Sequence, residues 1–274
     1  QSGEERPLFT SCCPAWVQFC EQQFPELAHC ISTTRSPQQM LGAVLQDYYK
    51  EPSRTEGKRP VFVSIMPCTA KKKEIKRPES TTNGKQDIDY VLTTIEIMEL
   101  LERRGIYMRL CGETVPDAPF STGSGGGEIF GATGGVTEAA LRYLMPKYDM
   151  EIKKVIAETG VRGDIPVKIT ELDFEGKHLR IAVTSGLRNA RNLMERIKKG
   201  EQFNLIEVMA CPGGCVMGGG QPANAYTRDQ TWKDRVTGLY ASDDANKWSR
   251  SNENQEIIAA EKTFLKGKEH ELLH

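Results

Sequence analysis

The sequence lacks the features of a membrane protein or of a nucleic-acid-binding protein. No apolar run approaches the roughly 20 residues that span a bilayer, and hydrophobic residues make up only 38% of the 274 positions. Thirty-six Lys and Arg balance 37 Asp and Glu, for a net charge of -1. No bulk charge therefore favours nucleic acid or an anionic lipid surface. We expect no membrane insertion and no nucleic-acid partner.

A secretory signal is also missing. Residues 1–6 are polar and contain neither an initiator Met nor an apolar stretch, so we do not expect Gln1 to be the native start. Eight cysteines are present, yet a chain of this size does not need disulfides to be stable. These features favour a cytoplasmic protein with reduced thiols, some of which bind metal.

Nucleotide-binding and zinc-hydrolase motifs are absent or poorly placed. The glycines of 123–135 and 218–220 do not match G-x-G-x-x-G, and no Lys follows where a phosphate-binding loop needs one. Residues 270–274 spell H-E-x-x-H, which on a helix places two imidazoles on one face for zinc. They are the last five residues, where a helix end frays. A zinc hydrolase therefore remains a distant alternative.

The first half of the sequence alternates between strand and helix patterns. Pro14 and the pair Ser36-Pro37 are placed to start two helices, the second with an inward stripe at positions 40, 44, 45 and 48. Residues 61–66 are apolar and β-branched, which predicts a buried strand. Residues 89–92 predict a second strand, followed by a helix that Thr93 to Glu96 cap. This alternation predicts a parallel sheet.

The second half continues the pattern. A glycine-rich stretch, 116–135, suggests close backbone approach before a helix at 136–144. The remaining predicted elements are a hairpin of 167–174 and 178–184 around Glu175-Gly176, a helix at 187–198, a strand at 203–209 and a helix near 257–265. The sequence therefore predicts an α/β protein.

The strongest signal for chemistry is the segment Glu207–Cys215, which continues to Pro222. It places two thiols four residues apart on a glycine-rich loop, where backbone N–H groups can approach cluster sulfides. The alternative is a tight structural loop with buried thiols. Five thiols occupy turn-like positions, and these are Cys12, Cys13, Cys68, Cys211 and Cys215. A four-thiolate cluster with one thiol left over fits this spacing better than a zinc ribbon does.

The other candidates are weaker. Cys20, Cys30 and Cys111 lie in no motif and favour small buried or incidental thiols. The run Lys71–Lys73 after Cys68 is typical of a solvated surface, but beside a metal site a Lys could hold an anionic ligand as a point-charge donor.

Three segments together resemble the signature motifs of [FeFe]-hydrogenases: Thr10–Trp16, Met66–Glu74 and Glu207–Pro222. Two further segments, Phe130–Gly135 and Asp87–Thr94, strengthen the resemblance, which covers nearly the whole chain. It implies an α/β fold of two lobes, with mainly parallel sheets flanked by helices and a metal cluster in the cleft between them. It also implies a single catalytic domain over 1–274, incomplete at its N-terminus. Residues of about 1–150 and 151–233 would contribute to the lobes, and 234–274 would form a C-terminal extension similar to the small-subunit region of some members.

The same resemblance implies a cofactor and its ligands. Cys13, Cys68, Cys211 and Cys215 would hold a [4Fe-4S] cluster, and Cys215 would also bridge to a [2Fe] subcluster with CO, cyanide and azadithiolate ligands. Cys12 would relay protons toward Ser32, and Lys71 would hydrogen-bond a cyanide. The remaining expected pocket residues are Ser36, Pro37, Gln38, Met66, Phe130 and Met209.

The implied activity is the reversible conversion of H2 into protons and electrons. The implied partners are a ferredoxin or another electron-carrier protein or subunit, and the maturation proteins that insert the diiron centre. Two related alternatives stay open, an iron-sulfur electron-transfer protein and a hydrogen-sensing or assembly relative without efficient turnover.

Overall fold

The computed structural model describes residues 6–144, 167–174, 176–223 and 225–274. The fold is mixed α/β, with mainly parallel strand pairing, as the sequence predicted. The strands are β1 (Leu8–Phe9), β2 (Val63–Met66), β3 (Thr81–Thr82), β4 (Lys85–Gln86), β5 (Tyr90–Thr93), β6 (Val167–Phe174), β7 (Lys177–Ser185) and β8 (Leu205–Met209).

Helices separate most of these strands. The α-helices are α1 (Pro14–Gln23), α2 (Pro37–Tyr48), α3 (Lys71–Glu74), α4 (Thr94–Arg103), α5 (Gly125–Glu128), α6 (Gly135–Leu144), α7 (Leu187–Lys198), α8 (Arg228–Ala245), α9 (Gln255–Lys262) and α10 (Glu269–Leu273). Short 3-10 helices lie at Pro25–Cys30, Pro52–Arg54, Met108–Leu110, Ile129–Gly131, Cys215–Met217, Ala225–Thr227 and Ser251–Glu253. Within the described residues, none of the helices has the length and hydropathy needed to cross a bilayer.

Contacts group the chain into two compact units, each built from three separate segments. Unit 1 comprises the described residues of Gln1–Thr33, Gly123–Met217 and Asn224–Asn254, and unit 2 those of Thr34–Thr122, Gly218–Ala223 and Gln255–His274. This grouping differs from the consecutive ranges 1–150 and 151–233, because segments distant in sequence pair with each other. The expected boundary near 150 lies outside the described residues. The expected start of the C-terminal extension, at 234, falls inside α8.

Unit 1 is built on a four-stranded sheet in the order β1-β8-β7-β6. Strands β1, β8 and β7 run parallel, with Phe9 opposite Ile206. Strands β6 and β7 form the predicted antiparallel hairpin, and Gly176 in its turn has a φ of 76°. Glu175, the other predicted turn residue, lies outside the described residues. Because parallel strands end at the same edge of a sheet, the residues that follow β1 and β8 lie side by side.

Helices cover both faces of the unit 1 sheet. On one face α1 and α7 bury Trp16 and Leu193 against Ile206. On the other face Leu141 of α6 contacts Val183 of β7. Each fully buried side chain of this size contributes about 1.5–3 kcal/mol. The sheet edge that carries the cysteines therefore rests on a closed apolar core.

The predicted helix starts are confirmed. Helix α1 begins at Pro14, and α2 begins at Pro37, where the Ser36 hydroxyl accepts a hydrogen bond from the backbone N–H three residues on. Helix α4 begins after Thr93, which forms a capping box with Glu96. Local side-chain bonds to the backbone fix these two capped starts, which is why sequence alone reveals them.

Unit 2 contains a two-stranded parallel sheet, β2 beside β5, and the hairpin of β3 and β4. The strand predicted over 61–66 forms at 63–66, but it is only partly buried. Val63 and Ile65 are 51% and 55% exposed, and Tyr90, opposite Val63, is 63% exposed. Among the described residues, the sheet contacts a core on one face, where Val91 packs with Phe62, the residue just before β2. An apolar composition predicts a strand, but it does not reveal whether one face or both are covered.

The buried side of α2 is more polar than predicted. Of the four stripe positions Met40, Val44, Leu45 and Tyr48, only Val44 is buried. The buried polar side chains of α2 are Gln38, Gln39 and Asp47. Gln38 and Asp47 form hydrogen bonds inside unit 2. This face of α2 therefore carries polar contacts as well as packing.

The C-terminal residues pack into unit 2, whereas their sequence predicted a frayed helix end. Leu272 is 1% exposed and joins Val44 and Leu265 in one apolar cluster. The backbone N–H of Arg35 donates to the carbonyl oxygen of Leu273 at 2.8 Å. The end of the chain is therefore held by the start of α2.

Helix α8, the longest among the described residues, was not predicted. Most of its 18 residues are polar or charged. The few apolar residues along one side, Trp232, Val236 and Leu239, are therefore hard to recognise as a helical pattern in the sequence. It belongs to unit 1.

Candidate functional site

The first and third cysteine segments meet at one edge of the unit 1 sheet. Cys12 and Cys13 follow β1, and Cys211 follows the parallel strand β8. The backbone N–H of Ala210 donates a hydrogen bond to the Cys13 sulfur at 3.4 Å. All three thiols are half-buried. Parallel pairing thus brings together thiols that are about 200 positions apart in sequence.

Ser32 lies beside the strand that leads to Cys12. Phe9 of β1 forms a parallel bridge to Ile31, and the backbone N–H of Ser32 donates to the Phe9 carbonyl at 2.8 Å. Ser32 is half-buried. Two further predicted residues belong to unit 1: Met209, the buried last residue of β8, and Phe130, which is half-buried in the Ile129–Gly131 turn.

Cys211 and Cys215 are joined by a tight glycine loop. Gly213 and Gly214 have φ values of 89° and 86°, a conformation that glycine adopts without steric cost. A Cβ on Gly214 would lie 2.8 Å from the backbone nitrogen of Thr133. The glycines therefore let the loop lie directly against the backbone that precedes α6.

Helix α8 hydrogen-bonds to this loop from one face. Three of its side chains donate to loop carbonyl oxygens: Arg228 to Pro212 (3.0 Å), Trp232 to Gly213 (3.2 Å) and Arg235 to Val216 (2.8 Å). These residues were not predicted from the sequence, because helix α8 was not predicted. Two arginines and a tryptophan at helical spacing were the available signal.

A fully buried carboxylate holds the turn against which the loop packs. Glu207 of β8 accepts hydrogen bonds from the backbone N–H groups of Gly134 and Thr137, at 2.7 Å each, and from the Thr137 hydroxyl at 2.8 Å. Burial raises the pKa of Glu207, and the three donors oppose that rise. The strand that leads to Cys211 therefore also fixes the start of α6. The sequence did not predict this role for Glu207.

Cys68 lies in unit 2, after β2 and beside the segment Gly218–Ala223. The backbone N–H of Gly220 donates to the Pro67 carbonyl at 3.0 Å. A Cβ on Gly220 would lie 2.9 Å from the Cys68 backbone nitrogen, so only glycine allows this approach. Cys68 is half-buried.

Lys71 belongs to a buried polar network in unit 2. Its Nζ donates to both carboxylate oxygens of Glu74, at 3.0 and 2.9 Å. Glu74 also accepts from the Gln38 amide at 3.0 Å, and Gln38 accepts from the Ser64 hydroxyl at 2.7 Å. Lys71 and Glu74 are only 8% and 7% exposed, whereas Lys73 is exposed. The lysine run is therefore not a uniformly solvated surface.

The remaining predicted residues of unit 2 differ in how far they are buried. Ser36 is buried at the start of α2, Pro37 is exposed, and Met66 is half-buried at the end of β2. Next to Gln38, the buried side-chain amide of Gln39 has no hydrogen-bond partner among the described residues.

The three cysteines outside the motifs fit their expected minor roles. Cys20 and Cys30 pack in the unit 1 core, where burial raises the pKa of Cys20 to about 11, and Cys111 is exposed. All eight cysteines lie in the described residues, and no disulfide joins them.

The H-E-x-x-H residues gain no support as a zinc site. The rings of His270 and His274 stack at 4.9 Å on the short helix α10. In the part of the chain that the structure describes, no group of three or more His, Cys, Asp or Glu could hold a metal ion. This finding concerns sites for a single ion. The thiolates of a four-iron cluster bind at separate corners and therefore lie farther apart than the ligands of one ion.

Comparison with known proteins places the chain among iron hydrogenases. It is 42% identical over 272 residues to the NADP-reducing hydrogenase subunit HndD of Solidesulfovibrio fructosivorans, an alignment that covers 98% of this chain and 46% of that protein. It is also 34% identical over 231 residues to cytosolic iron-sulfur assembly component 3 of Pongo abelii, covering 78% of this chain and 47% of that protein. The chain thus spans about half the length of these relatives.

The fold is shared with a solved hydrogenase. A variant of [FeFe]-hydrogenase HydA1 from Chlamydomonas reinhardtii superimposes with a TM-score of 0.75 at 33% sequence identity, over 98% of this chain and 75% of that chain. The family model described as the iron-only hydrogenase large subunit, C-terminal domain, matches residues 1–219. The chain therefore belongs to the family formed by the C-terminal domains of iron-only hydrogenase large subunits.

Proposed function

We propose that this protein catalyses the reversible oxidation of H2 to two protons and two electrons, as an [FeFe]-hydrogenase. One observation carries the proposal: the first and third signature segments meet in unit 1, where the Ala210 N–H donates to the Cys13 sulfur. Family membership supports it, because those segments resemble the family signatures.

Cys13, Cys211 and Cys215 of unit 1, with Cys68 of unit 2, would hold a [4Fe-4S] cluster. Several features of the chain fit such a group. The thiols are half-buried and form no disulfides, and glycines 213 and 214 keep side chains out of the loop between two of them. The Thr133 hydroxyl, on the backbone that touches this loop, is buried without a hydrogen-bond partner among the described residues. It is available to donate to a sulfur atom.

Cys215 would also bridge to a diiron subcluster with CO, cyanide and azadithiolate ligands. When bound, the two metal groups supply an open site where H2 is split or formed and an outlet for the electrons. Lys71 would donate a hydrogen bond to a cyanide, and Glu74 keeps its ammonium group in place. The residues proposed to line the pocket are Ser36, Pro37, Gln38, Met66, Phe130 and Met209.

Cys12 would move protons between the metal site and Ser32. A thiol can give and take a proton without bringing a permanent charge into a low-dielectric pocket, where a charged Asp or Lys side chain is costly. Ser32 can accept a proton at its oxygen while donating its own, as a relay requires.

The proposed substrates are H2 and protons, and the proposed partners are a ferredoxin or another electron carrier and the maturation proteins. We propose a cytoplasmic location. A second candidate is an assembly or sensing relative that carries the cluster without turnover, which the similarity to an iron-sulfur assembly component favours. Cys12, Lys71, Met66 and Met209 favour the hydrogenase instead.

Infrared spectroscopy tests the proposal. The protein is prepared anaerobically with the maturation proteins, and its spectra under H2 and under argon are compared. CO and cyanide bands that shift under H2 are expected. Cys215→Ala should abolish them, whereas Cys111→Ala, which removes an exposed thiol outside the motifs, should not. Absence of such bands in a protein that carries the cubane would favour the assembly relative.

A further inference from the structure

The cluster loop Cys211–Met217 is held by hydrogen bonds within the loop, to Ser185 and to α8, all in unit 1. Its backbone N–H groups at 213, 214 and 217 donate to the Ser185 hydroxyl, the Cys211 carbonyl and the Gly214 carbonyl, at 3.2, 3.0 and 3.1 Å. Its carbonyl oxygens at 212, 213 and 216 accept from side chains of α8. Because both ends of several peptide groups are bound, the loop has little freedom to turn its two thiols.

The three donors of α8 occupy one face. Arg228, Trp232 and Arg235 follow the i, i+4, i+7 spacing that places side chains in one row along a helix. Trp232 also packs over the loop, because a Cβ on Gly213 would lie 2.9 Å from its ring. Glycine at 213 thus serves the contact with α8 in addition to the turn.

We propose that this face of α8 is a positioning element for the cluster loop, and that its guanidinium groups raise the reduction potential of a [4Fe-4S] cluster bound there. The inference rests on the proposed function. It concerns residues beyond 219, where the family-model match ends.

The charge argument concerns the reduced state. A cluster held by thiolates gains negative charge when it accepts an electron, and a nearby cation stabilises that form. Arginine stays protonated at any working pH. Arg235 is half-buried and Arg228 is exposed. Solvent screens an exposed charge more strongly, so Arg235 has the larger effect.

The test uses protein that carries the cubane without the diiron centre, so no turnover is needed. Arg235→Gln removes the cation, and Trp232→Phe removes one N–H while keeping a ring. Lys233→Gln is the matched control, because it removes a charge from an exposed position on the same helix. A redox titration followed by electron paramagnetic resonance gives the reduction equilibrium, and the rate of iron loss to a chelator reports how firmly the loop holds the cluster.

We expect Arg235→Gln to shift the reduction equilibrium about tenfold toward the oxidised cluster, and Trp232→Phe to speed iron loss about tenfold, the scale of effects beyond the direct ligands. Lys233→Gln should match the wild type. The inference is overturned if the two α8 variants behave like this control, even when their melting temperatures fall. If the wild type itself binds no cubane, the proposed function fails as well, and the two failures are thereby distinguished.

Discussion

In unit 1 the predicted ligands follow strands of a sheet covered on both faces, and backbone groups set their positions. The Cys13 sulfur accepts from a backbone N–H, and the Cys211–Cys215 loop is bound through its carbonyl oxygens. In unit 2 the predicted polar residues depend on each other, because Lys71, Glu74 and Gln38 form a side-chain network. The predicted ligands of unit 1 therefore depend on donors to the backbone around them, including the side chains of α8, whereas the unit 2 residues depend on one another in a buried network that fails when one member is removed.

The largest effects are expected from replacing two neighbouring cysteines of unit 1, and they should differ between the two positions. Cys13→Ala should abolish the cubane, because it removes a proposed ligand. Cys12→Ala should keep the metals but lower turnover about 10²–10⁴-fold, the range for losing a positioned proton-transfer group. Iron content, infrared bands and H2 turnover measure both. Normal turnover in fully metallated Cys12→Ala would remove Cys12 from the proton path.

An intermediate effect is expected in unit 2. Glu74→Gln removes the carboxylate partner of buried Lys71, so the free energy of unfolding should fall by about 3–5 kcal/mol. Turnover should fall about 10–100-fold, with unchanged iron content. Denaturant unfolding and activity assays measure these changes. Glu79→Gln, which alters an exposed ion pair with Arg77, is the control and should change neither. Wild-type turnover in Glu74→Gln would show that the network does not direct Lys71.

The smallest expected effects concern how folding stability depends on pH. The direction of this dependence differs between one residue of unit 2 and one of unit 1. In unit 2 the hydrogen bond from Lys72, helped by the Thr93 backbone, lowers the pKa of Glu96 from 4.5 to about 2. Its contribution to stability is therefore present above pH 4.5 and lost as the pH falls toward 2. In unit 1 burial raises the pKa of Glu207 above 4.5. Its pH-dependent contribution is therefore full below pH 4.5 and is lost as the pH rises through the folded-state pKa.

Melting temperatures across pH check these signs. The difference between the wild type and Glu96→Gln, expected to be about 2–4 °C near neutrality, should shrink on acidification. The difference in melting temperature between the wild type and Glu207→Gln should shrink as the pH rises above 4.5. Parallel trends in the two variants would contradict the contrast between the units.

Local sequence signals predicted local structure well. Pro14, Ser36 and Thr93 act on backbone groups within a few residues, so their helices were found. The exposed side of β2 was not predicted, because exposure depends on what covers the sheet. Helix α8 was not predicted either, because it depends on partners distant in sequence such as Gly213. The resemblance identified the family, but the roles of Cys12, Ser32 and the other site residues stay predictions. The support that Glu74, Glu207 and α8 give them became visible only in three dimensions.

The pairing of β1 with β8 has a consequence for the order of events during synthesis. The Cys13 thiol meets the Ala210 N–H across a sequence separation of 197 residues. At about 5–20 residues per second, a ribosome needs roughly 10–40 s to make that stretch. During this interval the thiol pair at 12 and 13 lacks the β8 segment beside which it lies in the fold. A site that uses both segments can therefore form only after synthesis has passed Ala210, and any group bound by both is loaded after that point.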